Sequence, residues 1–150
     1  MDGVRQSADF QIDQPADILF PLFSPEGEKL WIPGWDYENV IGTDDLRENY
    51  VFITKNHDHA ACKTIWIVKK YKPGEYLVEF YKVEPGEKVG VIAVKCSPLS
   101  EARSNVSVTY EYIAISEKGN NFISSFTSQV YEDFIGEWQQ LLEAYFKQES

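Results

Sequence analysis

The side chains best suited to metal chemistry lie between positions 57 and 62. His57, His59 and Cys62 carry imidazole and thiol groups, which are good Zn²⁺ ligands. A stable site normally has a fourth ligand and hydrogen bonds that orient the ligands, and this segment falls in a predicted hairpin loop. We therefore predict a solvated loop, with no bound metal and no cofactor.

Glu79 is the carboxylate whose position best suits proton transfer. It lies within an apolar segment, and an inward side chain would have a pKa raised by desolvation towards that of a general base. An outward side chain would instead pair with Lys82 or Lys95 at the surface. We favour the outward orientation and predict no catalytic residue.

Sequence motifs of common enzyme classes are absent. The chain has no nucleophile elbow, no glycine-rich phosphate loop, no dinucleotide fingerprint and no metalloprotease helix. The sequence therefore names no reaction. Whether the protein is an enzyme stays open, and a non-enzymatic role is favoured.

Size and composition limit the class of protein. The 150 residues fit a single domain spanning 1–150, and 15% of them are aromatic, the residues that line pockets and fill cores. A net charge of −10 would repel nucleic acids and anionic membranes. The oligomeric state stays open.

The cysteines and the hydropathy indicate a compartment. Cys62 and Cys96 are too few for a disulfide framework, although one bridge between them remains open. The first ten residues lack an apolar signal segment, and no run is long enough to span a membrane. We expect a cytoplasmic protein without stable membrane insertion.

The C-terminal region predicts one long helix over Asn121–Lys147, capped by Asn120 or Asn121. Its apolar arc is ~160° wide, against ~100° for an ordinary surface helix. Such a helix needs a concave partner surface. The apolar residues are Ile123, Val130, Tyr131, Phe134, Ile135, Trp138, Leu141, Leu142, Tyr145 and Phe146.

The preceding chain predicts the partner as a sheet. A first strand at Ala8–Asp13 is followed by two short helices, which begin near Pro15 and Ser24. Six further strands are predicted at Glu38–Thr43, Tyr50–Lys55, Thr64–Tyr71, Glu75–Val83, Lys88–Cys96 and Asn105–Ile115. The predicted class is α+β, with an antiparallel sheet of about seven strands around the long helix.

Two tryptophans flank a Pro-Gly turn at positions 33–34. Trp31 and Trp35 either plug one end of the core or form the mouth of a pocket, and both interpretations stay open.

This order of elements resembles the helix-grip fold of the START-like SRPBCC superfamily, which includes polyketide cyclases, lipid-transfer domains and pollen allergens. The resemblance spans essentially the whole chain. It is carried by Phe10, Ile12, Pro15-Ala16-Asp17, Phe20, Ser24-Pro25-Glu26 before Trp31, Val106-x-Val108-x-Tyr110, and Gly119.

The resemblance implies a cavity between the sheet and the C-terminal helix, but no shared catalytic set. It places an entrance near Trp35. The residues predicted to bind a ligand are Trp35, Trp66, Tyr110, Tyr112, Phe126, Val130, Phe134 and Trp138.

Three functions follow as hypotheses. The first is binding of a hydrophobic or aromatic small molecule, lipid-like or polyketide-like, in that cavity. The second is an enzyme of the polyketide-cyclase or dehydratase type, acting on a carbonyl substrate through Glu79 or a tyrosine. The third is a regulatory interaction domain in which the aromatic residues simply fill the core.

Overall fold

The computed structural model describes residues 2–43, 45–55 and 63–149. Within these residues, seven antiparallel strands form one sheet with the spatial order β1-β7-β6-β5-β4-β3-β2. The strands are β1 (Gly3–Ile12), β2 (Glu38–Asn39), β3 (Val51–Lys55), β4 (Lys63–Lys72), β5 (Leu77–Glu84), β6 (Lys88–Ser100) and β7 (Arg103–Ala114). The predicted antiparallel sheet is confirmed, and β1 forms one edge of it by pairing with β7.

Two short helices follow β1, as predicted. They are α1 (Ala16–Leu19) and α2 (Pro25–Glu28), separated by a 3₁₀ turn at Phe20–Phe23. The Ser24 hydroxyl accepts a hydrogen bond from the Gly27 amide at 2.9 Å, which caps α2. The strand before them is longer than its apolar alternation predicts, because β1 pairs with β7 from Gly3 to Ile12.

The prediction of one continuous helix from Asn121 is wrong. The structure has α3 (Glu117–Ser125) and a longer α4 (Ser128–Glu149). Ser116 caps α3 and Thr127 accepts from the Val130 amide at the start of α4, whereas Asn120 and Asn121 lie inside α3. Phe126 leaves the helical conformation between them, and its ring is buried. No helix of the described segments is long and apolar enough to cross a membrane.

The core lies between the inner face of the sheet and α4. The alternation of apolar and polar residues along β7 places Val106, Val108, Tyr110 and Tyr112 on one face, and all four are buried. The helix contributes Tyr131, Ile135, Trp138 and Leu142 to the same core. The Tyr131 hydroxyl donates to the Val108 carbonyl at 2.6 Å and so ties α4 to β7.

Candidate functional site

One row of side chains crosses the inner face of five strands. The strand register pairs Phe52 with Trp66, Trp66 with Lys82, Lys82 with Gly90, and Gly90 with Tyr112. Paired residues on antiparallel strands point to the same face, so the row continues across the sheet. Gly90 is required here, because a Cβ would lie 2.7 Å from the Tyr112 ring.

A pocket of about 590 Å³ opens over Trp66 and Lys82 of this row, within the size range of small-molecule sites. The Trp35 and Trp66 rings meet there edge to face, with centroids 6.2 Å apart. Each indole N–H is already used, by the Pro25 carbonyl and the Thr54 hydroxyl respectively, so both rings are fixed. The lining residues are Gly34–Glu38, Ile53, Thr54, Lys55, Lys63, Thr64, Trp66 and Lys82.

Lys82 supplies a charged group to this pocket. Its Nζ donates to the Tyr112 hydroxyl at 3.2 Å and lies 5.3 Å from the Trp66 ring centroid. The side chain is 22% exposed. Burial lowers the pKa of Lys82, an effect opposed by the nearby carboxylates of Glu84 and Glu87. Burial raises the pKa of Tyr112, so its phenol is protonated at neutral pH.

A buried ion-pair cluster lies next to Lys82. Lys88, only 3% exposed, places its Nζ 3.0 Å from Glu84 and 2.8 Å from Glu87. The same Nζ lies 3.8 Å from the centroid of the Phe122 ring on α3, and Lys118 pairs with Glu87 at 3.6 Å. Within the described residues, Glu84 Oε2 accepts no hydrogen bond despite its closeness to Lys88.

The predicted ligand-binding residues fall into separate groups. Trp35 and Trp66 line the pocket. Five others form one cluster of contacting rings, with centroid distances of 5.4 Å for Tyr112–Phe126 and 5.6 Å for Tyr110–Phe134 and Phe134–Trp138. Val130 is 48% exposed. The residues of this ring cluster are Tyr110, Tyr112, Phe126, Phe134 and Trp138.

Sequence reasoning missed Lys82 and Glu84 as interior groups. Glu79 lies on the other face of β5, where it pairs with Lys69 at 3.5 Å and Lys70 at 4.0 Å. The prediction that Glu79 could pair with Lys82 is therefore wrong. The signal was available, because Lys82 and Glu84 share the parity of the buried residues Val78 and Phe80.

Glu28 at the end of α2 is a second group that the sequence did not single out. Burial raises the pKa of its carboxyl to about 8, and its charge acts on Tyr110. Glu28 is half-buried at the end of α2, and desolvation is the cause of this shift.

A second pocket of about 670 Å³ lies near the other end of β5. Phe20, Tyr71 and Tyr76 contribute aromatic walls, and Asp17 and Asp45 add carboxylates. The Phe20 ring centroid is 6.1 Å from both tyrosine rings. None of the eight predicted residues lines this pocket.

The candidate metal ligands His57, His59 and Cys62 lie outside the described residues. Within residues 2–43, 45–55 and 63–149, no group of three His, Cys, Asp or Glu side chains is placed to bind a metal ion. Cys96 is a free, buried thiol, and burial raises its pKa to about 12.

Comparisons with known proteins identify the fold. No protein-family model matches the chain, and no curated protein sequence matches it. Solved structures do match. Ara h 8.0201 has a TM-score of 0.67 at 13% identity, covering 96% of this chain and 95% of its own.

Two enzymes have similar structures. Norcoclaurine synthase from Thalictrum flavum, in complex with dopamine and hydroxybenzaldehyde, has a TM-score of 0.66 at 11% identity, covering 94% of this chain and 87% of its own. The Zhui aromatase/cyclase from Streptomyces sp. R1128 has a TM-score of 0.61 at 12% identity, covering 98% and 86%. These solved structures confirm the predicted helix-grip fold.

Proposed function

We propose that the protein binds a hydrophobic or aromatic small molecule in the pocket lined by Trp35 and Trp66. The observation that carries this proposal is the pocket itself, a space of about 590 Å³ with two fixed indole rings in its wall. Aromatic walls with a few placed polar groups are typical of ligand sites. The fold supports the proposal, because a structural neighbour holds dopamine and hydroxybenzaldehyde.

The site proposed here is displaced from the cavity that the resemblance implies. The ring cluster on β7 and α4 fills the space beside the helix, and its members do not line the pocket. Under this proposal Trp35 and Trp66 contact the ligand directly. The ring cluster instead supports the wall, through Tyr112 and its bond to Lys82.

A neutral aromatic probe tests this proposal. We expect N-phenyl-1-naphthylamine to bind the protein at one site with fluorescence enhancement. Trp35→Ala should weaken binding at least tenfold, about 1.4 kcal/mol. The matched control is Tyr81→Ala, which removes an aromatic side chain that is exposed on the outer face of β5. If Trp35→Ala and Tyr81→Ala bound the probe with equal affinity, the assignment of the site would be refuted.

One observation favours a second candidate, an enzyme of the polyketide-cyclase type. Lys82 and Tyr112 form a hydrogen-bonded pair at 3.2 Å beside the pocket, and both side chains can transfer protons. Tyr112→Phe keeps the ring and removes the hydroxyl. A cyclase would lose turnover of a linear poly-β-ketone in this variant while still binding the probe. A binding protein would show no turnover in either form.

A further inference from the structure

The charges beside the Trp35–Trp66 pocket do not balance. Lys88 and Lys118 neutralise Glu84 and Glu87, at distances between 2.8 and 3.6 Å. Lys82 is the fifth charge. It lies 3.8 Å from Glu84 Oε2, the same oxygen that is 3.0 Å from Lys88. These five side chains therefore carry three positive and two negative charges, and Lys82 shares its carboxylate oxygen with Lys88.

The described residues of the pocket rim do not supply a further negative charge. Lys63 pairs with Glu38 at 3.7 Å, and the other charged lining residues described are Lys55 and Asp36. These two cations match two anions. The described residues of the pocket and of its ion-pair cluster therefore hold a net charge of +1, in a chain whose net charge is −10. Charges elsewhere on the surface act weakly here, because salt screens them beyond about 8 Å.

Burying an ammonium group that shares its counter-ion is costly, and desolvation lowers the pKa of Lys82. A ligand that brings its own negative charge would remove this cost. The buried Tyr112 hydroxyl accepts a hydrogen bond from Lys82 and so holds the ammonium group in place beside the pocket. A charge-assisted hydrogen bond from an ammonium group held in this way would fix the position of an anionic ligand group.

We propose that this pocket is a subsite for an aromatic acid, whose carboxylate pairs with Lys82 while its flat ring lies against Trp35 and Trp66. The two indoles meet at 74°, which forms an angled wall suited to a planar ring. This inference rests on the proposed function and names the chemical class of the ligand.

Two ligands of almost the same shape test the inference. At neutral pH 2-naphthoate is an anion, whereas 2-naphthamide is neutral. We expect isothermal titration calorimetry on the wild-type protein to show at least tenfold tighter binding of the naphthoate. Lys82→Met should abolish this preference by weakening naphthoate alone, with naphthamide affinity changed less than threefold.

Lys69→Met is the matched control. Lys69 also lies over a tyrosine ring, 5.6 Å from the Tyr81 centroid, and 3.5 Å from a glutamate, but on the outer face of the sheet. We expect it to retain the full preference. Equal loss in both variants would refute a local role of Lys82.

The wild-type measurement separates the two proposals without any variant. If naphthoate and naphthamide bind equally well, the proposed function stands and the aromatic-acid inference is refuted. If neither compound binds, the proposed pocket fails and the inference fails with it. Tighter binding of naphthoate that depends on Lys82 supports both.

Discussion

Gly119 of α3 packs against the carbonyl oxygen of Glu87 so closely that a Cβ on Gly119 would overlap that oxygen. The same carbonyl accepts a hydrogen bond from the Ile115 amide at 2.9 Å, so it cannot easily move away. The contact fixes α3, and with it Phe122 above Lys88. We predict that Gly119→Ala lowers the free energy of unfolding by about 2–3 kcal/mol, as overpacking does.

Gly136 provides the control for that prediction. It lies within α4, and a Cβ there would meet no described atom within 4 Å. Alanine stabilises an exposed helical position by about 0.5–1 kcal/mol relative to glycine. Gly136→Ala should therefore raise the urea midpoint while Gly119→Ala lowers it. Shifts in the same direction would contradict the backbone contact described for α3.

Breaking the buried ion pairs of Lys88 should lower the stability of the protein strongly. Lys88→Met leaves Glu84 and Glu87 without their closest cation, and loss of one partner of a buried pair typically costs about 3–5 kcal/mol. Lys29→Met is the exposed counterpart, because Lys29 pairs with Glu26 at 3.4 Å on the surface. It should cost no more than about 1 kcal/mol. Similar losses in urea denaturation would show that the Lys88 cluster is hydrated.

The raised pKa of Glu28 should make the stability of the protein depend on pH. Its pKa of about 8 in the folded protein lies above the ordinary value of 4.5. Between these two values the folded chain keeps the proton and the unfolded chain releases it, so this contribution to stability is lost as the pH rises. Glu28→Gln should therefore gain stability relative to the wild type between about pH 5 and pH 8.5. Urea denaturation of the wild type and of Glu28→Gln at about pH 5 and about pH 8.5 measures this difference.

Glu26, two residues earlier in α2, should behave in the opposite way. Its pKa is lowered, mainly by the hydrogen bond from the Tyr37 hydroxyl at 2.5 Å. The stabilisation that it contributes is present above pH 4.5 and is lost as the pH falls through the lowered pKa. The Glu26→Gln variant should thus be less stable than the wild type at neutral pH. A parallel response of the two variants would argue against the raised pKa of Glu28.

Much of the fold could be predicted from local patterns. The alternation from Val106 to Tyr112 gave the correct buried face of β7, and the strand predicted at Glu75–Val83 overlaps most of β5. The break at Phe126 could not be predicted in this way. Its apolar ring fits a continuous amphipathic helix equally well, and only its packing against Tyr112 shows why the chain turns there.

The candidate site was harder to predict than the fold. Trp35 and Trp66 were predicted ligand residues. They lie far apart in the sequence, and the structure brings their rings together only because β4 lies beside the 34–38 loop. Lys82 was missed because a lysine in a strand usually faces water. The alternation that places Lys82 inward becomes decisive only when Val78 and Phe80 are known to be buried.

The last prediction separates a filled core from a ligand pocket, by comparing two tryptophans. Trp138 is buried, with its ring 5.6 Å from Trp31 and 6.1 Å from Phe23. Trp35 is only partly buried and borders the open pocket. Trp138→Ala should cost about 3–5 kcal/mol, the loss typical of a packed aromatic core, whereas Trp35→Ala should cost less than about 2 kcal/mol.

Probe binding should follow the reverse order. N-phenyl-1-naphthylamine should lose affinity in Trp35→Ala, whereas Trp138→Ala, measured at a temperature where it remains folded, should retain it. Because the Trp138 ring packs against other rings and not against the pocket, its removal changes stability without changing the binding wall. If Trp138→Ala lost the probe and Trp35→Ala kept it, the ligand would lie beside α4, in the cavity that the superfamily resemblance implies.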